Sequence, residues 1–355
     1  MATLFADIKT PFVNDITLKK VMSARVKDNI FQGILTKPGE AVTEKFSEDT
    51  DAAEIQVIRV KPDTTDAREL GASVNGGWFN SNSATTPTTE AYPIRIIETI
   101  DNQIDIPTNA QDMIAVDLAE AELTNLAGKV NRNINAATIA AYLVAYCNKY
   151  DAAATGNAVE LASSNPKYLD ALVDAQAKLD DGNADQGIDT YPSESRVILI
   201  RASAKAALLK SGQLIVGGSN YAQDIIRQGG VDANTKPNTT VGYVGDIAGS
   251  PVYVVSNPIW TLAEKYAGVT AGAFAGVQML VVSSIGTGRA LAFNAAIKMI
   301  DSPAGQGRRI QPKYRFGVEC WDAMSVVPVV SNGWDSPRAT SAEDALVVKA
   351  PGSRS

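Results

Sequence analysis

Residues 107–150 read PTNAQDMIAVDLAEAELTNLAGKVNRNINAATIAAYLVAYCNKY, and the rest of the chain is organised around this stretch. Val116, Ala119, Leu123, Leu126, Val130, Ile134, Ala137 and Ala141 recur at steps of three and four, which lays one apolar stripe along a helix face. Thr108 followed by Gln111 has capping-box spacing, in which each side chain satisfies an orphan backbone N–H, and Pro107 blocks extension backwards. A helix over Asp112–Cys147 would run roughly 54 Å at about 1.5 Å per residue, against about 11 residues for an ordinary globular helix. Gly128, Asn131, Asn133 and Asn135 weaken its middle, where a bend is expected. Such a helix is a spine on which other elements are mounted.

Upstream, Ala53–Val60 (AEIQVIRV) alternates and is rich in β-branched residues, and Tyr92–Ile106 is its expected antiparallel mate. The Gly-, Asn-, Ser- and Thr-rich segment between them is too long for an idle connection in a compact domain. Its aromatic pair, Trp78-Phe79 after Gly76-Gly77, favours docking on a partner surface, because such side chains dominate interfaces. Residues 1–52 read as an arm, with an amphipathic helix expected over Thr17–Phe31 and too few apolar residues for a core of their own.

Downstream, Asn165-Pro166 is expected to cap and open a helix whose inner face carries Leu169, Leu172, Val173, Gln176 and Leu179, ended by Gly182. Arg196–Arg201 (RVILIR) reads as a buried strand, and Ser203 as the cap of the helix after it. Strands are expected at Thr240–Val244 and Val252–Ser256 with GDIAGSP as their turn, then at Met279–Ser283 and Ala290–Phe293. Ala296–Ile300 is expected to pair with one long alternating strand, Tyr314–Val330, bringing the chain back beside the spine. This order gives an α+β chain with a mixed α/β lobe.

With 355 residues, 45% apolar and 20% charged, the chain is a folded globular protein of about two or three domains. No run approaches the roughly 18 apolar residues of a membrane span. The N-terminus MATLFADIKT lacks a signal peptide's basic flank and apolar core, so neither a membrane nor secretion is expected. Histidine is absent, which removes the usual general base and the commonest metal ligand. The two cysteines, Cys147 and Cys320, form no zinc or disulfide pattern and are expected to be small buried side chains. Net charge −7 argues against charge-driven binding to nucleic acid by the isolated chain. The densest basic cluster, Arg308, Arg309, Lys313 and Arg315, is expected at a subunit contact or a solvated face.

Two motifs fail on their own terms. Gly286-Thr-Gly288 imitates a dinucleotide-binding turn, but its third glycine is missing and the following ALAF reads as strand, so a hairpin turn is expected instead. Asp181, Asn183 and Asp185 have calcium-loop spacing, but glycine stands at position seven and Pro192 where the closing Glu belongs, leaving a solvated loop. No catalytic residue, cofactor or metal is assigned.

Arm, long two-stranded loop, spine helix, α/β lobe and returning strands occur here in one order. The phrases RVILIR after the Asn165–Asp180 helix, GDIAGSPVY, GRALAF and YRFGVECWDAMSVVPVV stand within it. In that order the chain resembles the major capsid protein of tailed bacteriophages, a fold shared with encapsulin nanocompartments and herpesvirus shells. The resemblance implies an N-terminal arm over 1–52, an extended loop over 53–106, and a peripheral domain with the spine helix over 107–159. It further implies an axial domain over 160–290, return strands of the peripheral domain over 291–330 and a C-terminal tail over 331–355. Subunit contacts are expected at Arg68, Glu69, Trp78 and Phe79 in the loop, and at Arg308, Arg309 and Lys313 in the periphery. The implied partners are copies of the chain as pentamers and hexamers, portal and scaffolding proteins, optionally decoration proteins, and packaged DNA without sequence-specific binding. With no helical prefix before the arm, scaffolding is expected from a separate protein or not at all. The implied location is the virion, assembled in the host cytoplasm. An encapsulin-type shell and, in another class, an α/β nucleotide-binding enzyme using the Gly286 turn are the alternatives.

Overall fold

The computed structural model describes residues 54–60, 89–95, 97–100, 104–107, 129, 132–150, 156–210, 243–292, 300–301, 307–310 and 313–337. The arm, the Thr17–Phe31 helix, the loop residues Arg68, Glu69, Trp78 and Phe79, most of the first half of the spine and the end of the tail lie outside the described residues.

Strands β1 (Glu54–Val60) and β2 (Thr89–Arg95) form an antiparallel two-stranded sheet with Val57 opposite Tyr92. The chain then yields β3 (Ile97–Ile100) and β4 (Ile104–Pro107), which join two different three-stranded sheets. The single strand expected over Tyr92–Ile106 is therefore three strands, because its second and third parts take partners from the far end of the sequence.

Residues 132–149 form one continuous helix, α1, with Asn133 and Asn135 inside it. After it come β5 (Val159–Leu161), α2 (Tyr168–Asp180), β6 (Arg196–Arg201), α3 (Ala202–Lys210), β7 (Tyr243–Ile247), β8 (Ser250–Val255), α4 (Asn257–Ala267) and β9 (Val277–Ser283). The chain closes with β10 (Thr287–Ala292), β11 (Ile300–Asp301), β12 (Gly307–Ile310), β13 (Lys313–Cys320) and β14 (Val326–Ser331). A mixed six-stranded sheet, ordered β5-β14-β9-β6-β8-β7, is the centre of the lobe.

Alternation along its strands builds two cores. Val197 and Leu199 of β6, Leu280 and Val282 of β9, and Val326 and Val330 of β14 face a core shared with α1 and α4. Ile198 and Ile200, Met279 and Val281, and Val327 and Val329 face the opposite core, shared with α2 and α3. Side chains of a strand point to opposite faces in turn, so near-continuous apolar runs mean that helices cover both faces. In α1, Ile134 through Val144 are buried without a break. The expected stripe with a solvent face gives way here to burial all round, which the small side chains Ala136, Ala137, Ala140 and Ala141 make sterically possible. Cys147 and Cys320 are both buried free thiols, each pushed up to about 12 by burial.

Several boundaries differ from expectation. Helix α2 starts at Tyr168 with Lys167 as a cap that makes no side-chain bond, while Asn165 is left-handed at φ 56°. Val173 is 53% exposed, and the buried face runs instead through Ala171, Leu172, Ala175, Gln176 and Leu179. Gly182 does close the helix: its φ is 67°, and a Cβ there would lie 2.3 Å from the Ile188 and Asp189 carbonyl oxygens. Ser203 sits inside α3, where its hydroxyl meets Gln278 at 3.2 Å rather than capping. The Tyr314–Val330 stretch breaks at Trp321-Asp322 into β13 and β14, which belong to different sheets. β12, not the Tyr314–Val330 stretch, is the partner of Ile300-Asp301. Within 331–337, Trp334 and Ser336 are buried: the Trp334 indole donates to the Ala273 carbonyl at 3.0 Å, and Ser336 to the Tyr150 carbonyl at 2.6 Å.

The turn in GDIAGSP is a two-residue hairpin, with Ile247 opposite Ser250. Ala248 and Gly249 have φ of 49° and 78°, the left-handed pair that matches strand twist in tight hairpins. Alanine is strained there, so Ala248→Asn is expected to raise stability by about 1 kcal/mol, seen as a higher thermal midpoint.

Candidate assembly surface

The expected contact residues separate in the structure. Arg308 and Arg309 are on β12, with backbones opposite Ile106 and Asp105 of β4 and Asp301 and Ile300 of β11. Lys313 opens β13, opposite Ile100, and Arg315 lies opposite Glu98. The basic run is thus divided between two sheets. The segment carrying Arg68, Glu69, Trp78 and Phe79 joins β1 to β2, so its two ends are held one strand apart where Val60 meets Thr89.

The base of that ribbon has a built anchorage. Ile94 is fully buried at 0% exposure. A Cβ on Gly288 of β10 would lie 2.7 Å from the Ile94 Cδ1 and 2.7 Å from the Trp321 ring, and one on Gly317 of β13 would lie 2.5 Å from the Arg95 carbonyl oxygen. Tyr92 stacks on Trp321 with ring centroids 4.9 Å apart. Phe316, Val318 and Cys320 of β13 face the α1 core, so Gly317 and Glu319 occupy the other face, which β2 covers. Glu319, opposite Gly288, is pushed up to about 8 by loss of solvent.

A second cluster fixes the junction between sheets. Asp322, 3% exposed, accepts from the Asn183 amide at 2.9 Å, the Tyr191 hydroxyl at 2.5 Å and the Met324 N–H at 3.0 Å. Burial and the Asp322 carboxylate both raise the Tyr191 phenol above its ordinary range. Arg196 stands beside it, donating to the Tyr191 carbonyl at 2.7 Å and pairing with Asp180. Asn183, from the rejected calcium-loop pattern, is thereby turned inward.

Gly286 and Gly288 are explained by packing. A Cβ on Gly286 would lie 2.4 Å from the Asp322 Cβ, and the Gly286 carbonyl accepts from the Trp321 N–H at 3.0 Å. The turn is also not a hairpin, since β9 pairs with β14 and β6 while β10 pairs with β13. The side chains of Asp322 and Ser325, and of Ile94 and Trp321, stand where a Cβ at these two positions would go.

Sequence reasoning missed Ile94, Gly317, Trp321 and Asp322. The usable signal was the pair of glycines within strands, Gly288 and Gly317, since glycine inside a strand marks close approach of another backbone or side chain.

No protein-family model matches the chain, and no curated protein matches it in sequence. Among solved structures it is similar to the capsid of Ralstonia phage GP4, at 11% identity and TM-score 0.55, over 88% of this chain and 92% of that one. It is similar to the capsid structure of the cyanophage P-SCSP1u at 14% identity and TM-score 0.50, over 79% and 84% of the two chains. The asymmetric unit of the bacteriophage PhiM1 mature capsid gives 13% identity and TM-score 0.50, over 79% and 83%. The chain has the fold of these phage capsid structures.

Proposed function

We propose that the protein is the major capsid protein of a tailed phage, a structural, non-enzymatic subunit that assembles into an icosahedral shell around packaged double-stranded DNA. The observation that carries this reading is the extent of the fold likeness, 88% of this chain against 92% of a phage capsid chain. The two-stranded β1–β2 ribbon agrees with it, because such a ribbon alone is marginally stable and gains from a neighbouring surface.

On this reading the chain forms pentamers and hexamers of itself in the virion, assembled in the host cytoplasm with portal and scaffolding proteins. Residues 53–106 form the extended loop, 107–159 and 291–330 the periphery and 160–290 the axial domain. Arg68, Glu69, Trp78 and Phe79 make loop contacts with a neighbour, and Arg308, Arg309 and Lys313 make peripheral ones. The net charge of −7 suits a container wall, since a strongly basic inner surface would hold the DNA it must release.

Size-exclusion chromatography with negative-stain microscopy tests the reading: uniform shells or capsomers are expected, and double-stranded DNA rather than protein cargo separates a head from a nanocompartment. Trp78→Ser with Phe79→Ser is expected to leave the subunit folded but raise the concentration needed for assembly by about tenfold. Unfolding of the subunit instead would place those residues in a core.

A further inference from the structure

Among the described residues the β1–β2 ribbon is a sheet of its own, and β2 ends at Arg95, with one residue between it and β3, which enters the sheet with β13. Beyond that short link, its inner strand is held by side-chain docking. Ile94 is completely buried yet belongs to neither of the two cores that flank the six-stranded sheet. Its seat exists because β10 and β13 present glycine at Gly288 and Gly317, where a Cβ would come within 2.7 Å and 2.8 Å of the Ile94 side chain. Trp321 closes the seat and stacks on Tyr92, two residues earlier on the same strand face.

We propose that Ile94 is a positioning residue for assembly: seated against Gly288 and Gly317 under Trp321, it fixes the direction in which the ribbon leaves the body, and so where the segment joining β1 to β2 meets a second copy of the chain. The inference rests on the shell reading above. A ribbon released from this seat keeps its own ladder but sweeps a range of directions, and each copy must then lose that freedom when it docks. The seat also lies beside the Gly286–Gly288 and Trp321–Asp322 crossings, where the chain passes between sheets, so the ribbon is referenced to a closely packed, hydrogen-bonded junction.

The test compares Ile94→Ala, Ile94→Val and Gly317→Ala in the full chain. Hydrogen exchange is measured on unassembled subunits, and light scattering with electron microscopy follows assembly. Ile94→Ala is expected to speed exchange across β1 and β2 while β6 and β9 keep their protection, and to raise the concentration required for assembly by about tenfold. Ile94→Val, which keeps most of the seat filled, is expected to fall within about threefold of the parent. Gly317→Ala is expected to act like Ile94→Ala, because its Cβ would sit 2.5 Å from the Arg95 carbonyl oxygen and lift the strand. Ile94→Ala assembling at the parent's concentration overturns the proposal. Loss of β6 and β9 protection together with β1 and β2, or global unfolding, also overturns it by making Ile94 ordinary core. A parent chain that forms no particle sinks the shell reading instead, and the exchange comparison alone then decides whether Ile94 anchors the ribbon.

Discussion

Replacing Asp322 with Ala is expected to lower the stability of the unassembled subunit by about 4 kcal/mol, read as a shifted urea midpoint. Asp322 is 3% exposed, and its carboxylate serves two donors from the distant 183–191 loop, Asn183 and Tyr191, and one from its own turn, Met324. Deleting it leaves the Tyr191 hydroxyl and the Asn183 amide buried without that acceptor, and each orphaned group costs about 1–3 kcal/mol. The same side chain caps the turn that carries the chain from β13 to β14, so its loss also loosens the crossing between two sheets. Asp322→Asn keeps the shape and one carbonyl acceptor, and about half the loss is expected. A loss below about 1 kcal/mol for the Ala variant would contradict the role given to this junction.

Stability is expected to fall as pH rises from about 4.5 to about 8, and Glu319→Gln is expected to remove most of that slope. Burial raises the folded-state pKa of Glu319 to about 8 from an ordinary 4.5. Between those values the folded chain keeps a proton that the unfolded chain has released. The unfolded state is therefore favoured progressively as pH climbs, and the penalty is complete above the folded value. The total is on the order of 3 kcal/mol, allowing for the partial exposure of the residue. Urea midpoints of the parent and of Glu319→Gln, taken at pH 5 and pH 9, isolate this group from other carboxylates. Equal slopes for the two proteins would show that Glu319 ionises freely beneath β2.

The elements that could be read from sequence are those whose signal is local. RVILIR is apolar across four consecutive positions, and such a run belongs to a strand covered on both faces, as β6 is. The β7–β8 hairpin was legible in GDIAGSP as a turn between two strands, although most of that segment is strand and the turn itself is only Ala248-Gly249. The pairing of β1 with β2 follows from two β-branched runs flanking a turn-rich segment. What escaped depends on contacts far along the chain. Tyr314–Val330 alternates throughout, yet it breaks at Trp321-Asp322 because Asp322 bonds to Asn183 and Tyr191, 139 and 131 positions away. Tyr92–Ile106 splits into three strands because its later parts pair with β13 and β12.

The candidate surface was less legible than the fold. Gly286-Thr-Gly288 carries a turn pattern, but Gly288 is glycine to admit Ile94 and Trp321, which no spacing rule encodes. Alanine told little about α1, since a small apolar side chain suits both a solvent-facing helix and one buried all round. Asn165-Pro166 has the composition of a helix start, but Asn165 takes a left-handed conformation and the helix begins after Lys167.

On the proposed function, copies of this chain build a shell. Electron cryomicroscopy of the purified full chain under assembling conditions is the decisive measurement. Closed particles of pentamers and hexamers are expected, with the segment between β1 and β2 lying on a neighbouring subunit. A stable monomer or small oligomer under every assembling condition would contradict it.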